Sequence, residues 1–182
     1  MRFTPAALSG VFVVETDVSE DARGSFARAF CEREFAAAGL NTKWPQHNLS
    51  RNAKRGTLRG LHYQVPPHGE IKLIRCAAGA IFDVLVDLRE TSPTFRKWES
   101  FELSAANHRA LYVPEGIAHG FQTLEDESTV LYLMSEFYVP ASARGIAWND
   151  PELGIVWPFV DLVMSEADRA HPALQTLFGR KE

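Results

Sequence analysis

A chain of 182 residues can bury one core without disulfide or metal staples and is too short for a second full domain of ordinary size. With 46% hydrophobic and 23% charged residues it has the make-up of a globular protein, and no segment approaches the roughly 18 apolar residues of a membrane span. Lys and Arg number 19 against 23 Asp and Glu, a net charge of −4, so no overall positive field gathers a polyanion such as DNA. Residues 1–182 are therefore expected to form a single domain, with no nucleic acid or membrane partner and the cytoplasm as the simplest address. Cys31 and Cys76 stand far apart without a CxxC pairing, which suits small core residues better than a disulfide framework or a zinc site.

In chain order, short β-branched and aromatic runs alternate with turn residues, the pattern of an all-β sandwich or barrel rather than of βαβ units. A strand is predicted over Val11–Glu15. An Ala- and Glu-rich helix follows from Glu32 to Ala38 and stops at Gly39. Further strands are predicted over Thr57–Gln64, Ile71–Ala77, Ala80–Asp87, Trp98–Leu103, Ala110–Val113, His119–Thr123 and Thr129–Phe137. Between them lie pieces of turn composition, among them Pro66-Pro67-His68-Gly69, Ala78-Gly79 and Pro114-Glu115-Gly116. A second short helix is predicted from Ser165 to Ala170, with Ser165 placed to cap its first turn. Within Ala80–Asp87, Asp83 and Asp87 share a face with Ile81 and Leu85. Ion pairing to neighbouring strands is the reading favoured for both carboxylates, and neither enters the catalytic set.

Two clusters carry chemistry. The first is Gly56-Thr-Leu-Arg59-Gly60-Leu-His62-Tyr63-Gln64, followed after a Pro-containing loop by Glu70-Ile-Lys72. In a regular strand Arg59, Leu61 and Tyr63 share one face and Leu58, His62 and Gln64 the other, so the cluster meets one ligand only if a bulge or strand end intervenes. Lys72, polar among Ile71, Leu73 and Ile74, is expected to face a polar pocket or solvent. The second cluster is Pro114-x-Gly116-x-x-His119, a turn that delivers His119 to the next strand. Together they resemble the two-motif pattern of the cupins, and the fold class expected is all-β: a double-stranded β-helix, the cupin jelly-roll barrel, with short peripheral helices. Many cupins hold a metal through two histidines and a carboxylate in the first motif and one histidine in the second. Here Gln64 stands where the second histidine belongs, and the loop spacing of His68 and Glu70 does not replace it, so no metal is expected.

Ordered blocks along nearly the whole chain then resemble the dTDP-4-dehydrorhamnose 3,5-epimerase family. They include Asp21-Ala22-Arg23-Gly24-Ser25-Phe26, Gln46-His47-Asn48-Leu49-Ser50, Leu58-Arg59-Gly60-Leu61-His62-Tyr63-Gln64, Lys72-Leu73-Ile74-Arg75, Pro114-Glu115-Gly116-Ile117-Ala118-His119-Gly120-Phe121 and Trp148-Asn149-Asp150-Pro151. The resemblance implies a homodimer of cupin barrels that inverts C3, C5 or both in a nucleoside-diphospho-4-keto-6-deoxysugar, without metal or organic cofactor. It implies His62 as the base, Asp168 as the carboxylate that orients its imidazole, Tyr132 as the acid on the opposite ring face and Lys72 at the enolate oxygen. Arg59 and His119 would bind diphosphate or sugar, with Gln46 and Asn48 as hydrogen-bonding contacts and Tyr138 stacked on the nucleobase. Arg23 and Phe26 would reach the neighbouring subunit's site. Three positions depart from the family pattern: Arg28 and Ala143 stand where acidic residues are expected, and Leu133 where a lysine is. Two other readings compete with the epimerase, a metal-dependent cupin enzyme using His62, His119 and a carboxylate, and a barrel that only binds a sugar nucleotide.

Overall fold

The computed structural model describes residues 1–179. The chain opens with β1 (Arg2–Pro5), β2 (Phe12–Glu15), the hairpin β3 (Val18–Asp21) and β4 (Gly24–Ala27), and helix α1 (Glu32–Ala37). Next come β5 (Gln46–Asn52), β6 (Leu58–Gln64), β7 (Lys72–Ala78), β8 (Ala80–Asp87), β9 (Trp98–Ser104), β10 (Ala110–Val113), β11 (Ile117–Thr123) and β12 (Ser128–Met134). The tail holds β13 (Ala143–Gly145) and two short helices, α2 (Glu166–Arg169) and α3 (Leu174–Phe178). The strands build a six-stranded sheet in the order β1-β2-β10-β7-β12-β5 and a five-stranded sheet in the order β13-β6-β11-β8-β9. Neighbours such as β2 and β10, or β6 and β11, are distant in sequence and antiparallel, so the chain winds back and forth between two facing sheets as a jelly roll. The expected all-β cupin barrel is the fold found.

Strand alternation sorts the side chains into layers. Ile74 and Cys76 of β7, Ile81 and Leu85 of β8, Phe121 of β11 and Val130 of β12 meet in the interior and close one end of the barrel. Lys72, Tyr132 and His119 share strand parity with these residues, so the same alternation that makes the apolar plug sends polar groups into the other end. Leu61, Val84, Val86 and Ala118 point outward and are covered by Ile146, Leu153 and Leu174 of the tail. On the opposite wall Phe35 of α1 seals Val14, Leu73, Ala110 and Tyr112. Cys76 is buried and Cys31 half-buried, both unpaired.

Several elements were not anticipated. β5 reads QHNLSRN, without apolar alternation, because one of its faces lines a polar cavity and it ends the sheet order. The hairpin β3–β4 is exposed almost throughout and so carries no hydrophobic period. The predicted strand end at Phe137 is corrected to Met134, since the chain leaves the sheet where the Phe137 carbonyl accepts from Gln64 Nε2 and the Val139 N–H donates to Gln64 Oε1. Along β6 the structure supplies the bulge that the first cluster requires. His119 pairs with His62, but Phe121 pairs with Arg59, so two residues of β6, Gly60 and Leu61, face Gly120 alone. This β-bulge turns Arg59 and His62 to the same side of the sheet, which an unbroken strand forbids.

Candidate active site

The polar end of the barrel opens into a cavity of about 810 Å³. His62, Tyr132, Asp168, Lys72, Gln46, Asn48, Arg59, His119 and Tyr138 all line it. Register explains the gathering: Tyr132 of β12 lies beside Asn48 of β5, Met134 lies between Gln46 of β5 and Lys72 of β7, and His119 of β11 lies beside His62 of β6.

His62 Nε2 lies 2.6 Å from Asp168 Oδ1. The carboxylate arrives from the far end of the chain because the tail is stitched to β6. Leu58 N–H donates to the Val163 carbonyl, Val163 N–H donates to the Gly56 carbonyl, and α2 begins three residues later. Ser165 Oγ accepts from the Asp168 N–H at 3.1 Å, the capping expected of it. The Asp168 side chain is 10% exposed and that of His62 47%, a sheltered carboxylate behind an accessible ring. Burial pushes the Asp168 carboxyl up, yet hydrogen bonding and charge from His62, with help from Ser165 and His171, hold it net below the usual aspartate range. An ionised Asp168 accepts a hydrogen bond from the Nε2–H of His62 and leaves Nδ1 with the lone pair, the tautomer of a base.

Lys72 is 5% exposed. Its ammonium donates to the His62 carbonyl at 3.0 Å and pairs with Glu70 Oε1 at 3.1 Å, so one of its three N–H bonds is left for an oxygen in the cavity. Burial, and to a smaller degree the charge of Asp83, raises the Tyr132 hydroxyl far above the ordinary phenol value, partly countered by Arg59. The phenol therefore stays protonated at any physiological pH. His119 stands edge-on to Tyr132 with ring centroids 5.8 Å apart, and its Nε2 lies 2.7 Å from Asp83 Oδ2. Asp83 is fully buried on the Ile81–Leu85 face, and its contact with His119 of the neighbouring strand supports a cavity residue. Asp87 has a purely architectural post, accepting from Arg89, Ser92 and Thr94.

At the mouth, Arg59 Nε donates to Asn52 Oδ1 at 2.7 Å, Gln46 Nε2 donates to Asn48 Oδ1, and Gln46 Oε1 accepts from the Tyr138 N–H. Gln64, at the position of a cupin metal-binding histidine, is wholly occupied with His68, Glu70, Phe137 and Val139, holding two loops together. Arg23 and Phe26 are not brought to this cavity; Arg23 pairs with Asp21 on the exposed hairpin and Phe26 is 78% exposed. Of the departures from the family pattern, Arg28 pairs with Glu34 of α1 and Leu133 packs on the outer wall, while Ala143 lines the cavity. Glu70, Arg144 and His171 also line it and were not assigned a site role from sequence. For His171 the available signal was its spacing of three from Asp168, one turn of a helix.

A family model described as dTDP-4-dehydrorhamnose 3,5-epimerase matches residues 5–176. The chain belongs to that family. It is 45% identical over 172 residues to the dTDP-4-dehydrorhamnose 3,5-epimerase of Methanothermobacter thermautotrophicus, covering 92% of this chain and 91% of that one. The crystal structure of the Bacillus anthracis epimerase with TDP and pyrophosphate bound superposes with a TM-score of 0.93 at 40% identity, covering 95% of this chain and 99% of that chain. A 3'-monoepimerase from Streptomyces bikiniensis, in complex with dTDP-quinovose, superposes with a TM-score of 0.90 at 36% identity, covering 94% and 87%. Like its family, the protein is an isomerase, an epimerase of the dTDP-4-dehydrorhamnose class.

Proposed function

We propose that this protein epimerises a dTDP-linked 4-keto-6-deoxysugar, dTDP-4-dehydro-6-deoxy-D-glucose in the first instance, at C3, C5 or both, using its own side chains alone. The observation that carries the reading is the 2.6 Å pair of His62 and Asp168 opening onto a cavity that also holds a buried ammonium and a phenol kept protonated. A hydrogen on carbon beside a ketone is acidic because the electron pair left behind spreads onto the carbonyl oxygen. His62 Nδ1 takes that proton, and the imidazolium formed is stabilised by Asp168. The enolate oxygen meets the free N–H of Lys72, where a fixed charge in a poorly solvated site acts most strongly on developing anion. Tyr132 then donates its proton to the carbon from the other face, which inverts the centre. Arg59 and His119, the latter steadied by Asp83, bind the diphosphate or sugar, Gln46 and Asn48 supply hydrogen bonds, and Tyr138 stacks on the base.

The same reading makes the active protein a homodimer of single-domain barrels, in which Arg23 and Phe26 complete the partner's cavity. In support, Phe26 and Leu49, 78% and 71% exposed, are large apolar side chains that a lone barrel leaves in water. A metal-dependent cupin reaction is not favoured, because Gln64 replaces a ligand and His119 is engaged by Asp83. The test is incubation of purified protein with dTDP-4-dehydro-6-deoxy-D-glucose in the presence of a chelator, followed by NMR of the sugar after reduction. Inverted configuration at C3 or C5 is expected; ketosugar returned with both centres unchanged, alongside tight binding, would instead identify a non-catalytic binding barrel.

A further inference from the structure

The His62–Asp168 pair has a third neighbour that proton abstraction does not use. His171 follows α2, its ring edge-on to that of His62 with centroids 5.4 Å apart. Its Nε2 is 3.6 Å from the same Asp168 oxygen that His62 holds at 2.6 Å. At that separation no hydrogen bond forms, and Nε2 is buried without a hydrogen-bond partner among the described residues. A nitrogen left so is an exception in folded proteins and points to a partner that binds there. The ring is also lodged in place, since a Cβ at Gly145 would stand 2.4 Å from Nε2.

Two imidazoles and a carboxylate from His62, Asp168 and His171 therefore present ligand atoms that all lie within 4.8 Å of one another. Among the described residues this is the group of three such side chains that lies within reach of one ion. A tetrahedral ion with bonds near 2.0–2.1 Å sets its ligands about 3.3 Å apart. The Asp168–His171 spacing is already close to that, and the His62–Asp168 spacing needs to open by less than about 1 Å. The donors are those that first-row divalent ions prefer, and the cavity leaves the remaining coordination positions to water. Lys72, a cation lining the same cavity, pairs with Glu70 at 3.1 Å.

We propose that His62, Asp168 and His171 bind a divalent d-block cation, Zn2+ or a congener, and that its binding switches the catalytic base off. A neutral imidazole has one lone-pair nitrogen. When the ion takes Nε2 of His62, the ring's single proton resides on Nδ1, which can then no longer accept the substrate's hydrogen, and no proton is gained or lost in the exchange. Binding follows from the donor geometry alone, whereas the loss of activity rests on the role given to His62 under the proposed function.

The test is titration of chelator-treated full-length protein with Co2+, read by its visible d–d absorption and by competition with Zn2+. One ion per chain is expected, displaced by Zn2+, with epimerisation lost on Zn2+ addition and recovered with a chelator. His171→Ala should weaken Co2+ binding by more than about tenfold, the least that even an outer-shell partner is worth, and His171→Gln, which keeps the volume, should do the same. Gly145→Ala, which leaves every ligand present but displaces the His171 ring, should weaken it as well, and His119→Ala should not. Absence of stoichiometric Co2+, affinity indifferent to both His171 variants, or affinity that falls with His119→Ala would overturn the site. Full turnover by protein saturated with Zn2+ would overturn the switch. Epimerisation without Co2+ binding refutes the site and leaves the proposed function standing, while Co2+ binding by a protein that never epimerises does the reverse.

Discussion

His62 is half exposed, so its replacement removes a functional group more than a packing one. His62→Ala should lower the turnover by about 10²–10⁴-fold, the range for loss of a positioned general base, while the fold is kept at the cost in melting temperature of the lost pair with Asp168. Asp168 acts through that ring. Its carboxyl is held below the usual value of about 3.9, so the stabilisation it gives is complete above that pH and disappears as pH falls through the native value. The stability difference between wild type and Asp168→Asn should accordingly be present at pH 7 and be lost as pH falls through the native carboxyl's lowered value, as thermal melts across pH would reveal. Tyr132→Phe should separate the two halves of the reaction: exchange of the abstracted hydrogen with solvent continues, but the inverted product is lost. Equal loss of both would mean that Tyr132 has no distinct duty as the acid. These residues were legible in the sequence through the family resemblance, and Lys72 also because a lone polar side chain among Ile71, Leu73 and Ile74 marks a polar pocket or solvent. Asp83 and His171 were harder to see, since their worth depends on partners 36 and 109 positions away.

β6 shows why element-level reading fell short at this site. Alternation places Arg59 and His62 on opposite faces, and only the two-against-one pairing of Gly60 and Leu61 with Gly120 brings them together. The bulge rests on an absence of side chains. A Cβ at Gly60 would stand 2.5 Å from Gly120 Cα and 2.8 Å from the His119 carbonyl, with φ at +124°, a conformation that only glycine adopts readily. Gly60→Ala should therefore cost at least about 1–3 kcal/mol of stability in denaturant unfolding and depress turnover, because the strand carrying the base cannot stay paired with β11. Strands β7, β8 and β10 were read from sequence to within a residue or so, each being buried and rich in branched side chains. β5 and the β3–β4 hairpin escaped because their residues answer to a cavity, to solvent or to a partner rather than to the core.

Taken whole, the barrel divides its interior between an apolar plug and a polar mouth, and the chain's tail crosses from outside to supply Asp168. Strand parity sends both sets inward and position along the strands separates them, while the cupin architecture could be anticipated from the turn spacing and the two histidine motifs. The tail's route could not, because it is fixed by backbone bonds at Val163 and a cap at Ser165 rather than by any hydrophobic period. Association is expected to follow from the exposed hairpin: wild type should sediment as a dimer, and Arg23→Ala should raise KM for the nucleotide sugar with little change in fold. The most direct measurement is deuterium entry into the ketosugar in D2O, followed by NMR for wild type and His62→Ala. Wild type should acquire deuterium at each inverted carbon, and the variant should acquire essentially none. Deuterium entering at an undiminished rate without the imidazole would contradict the assignment of His62 as the base.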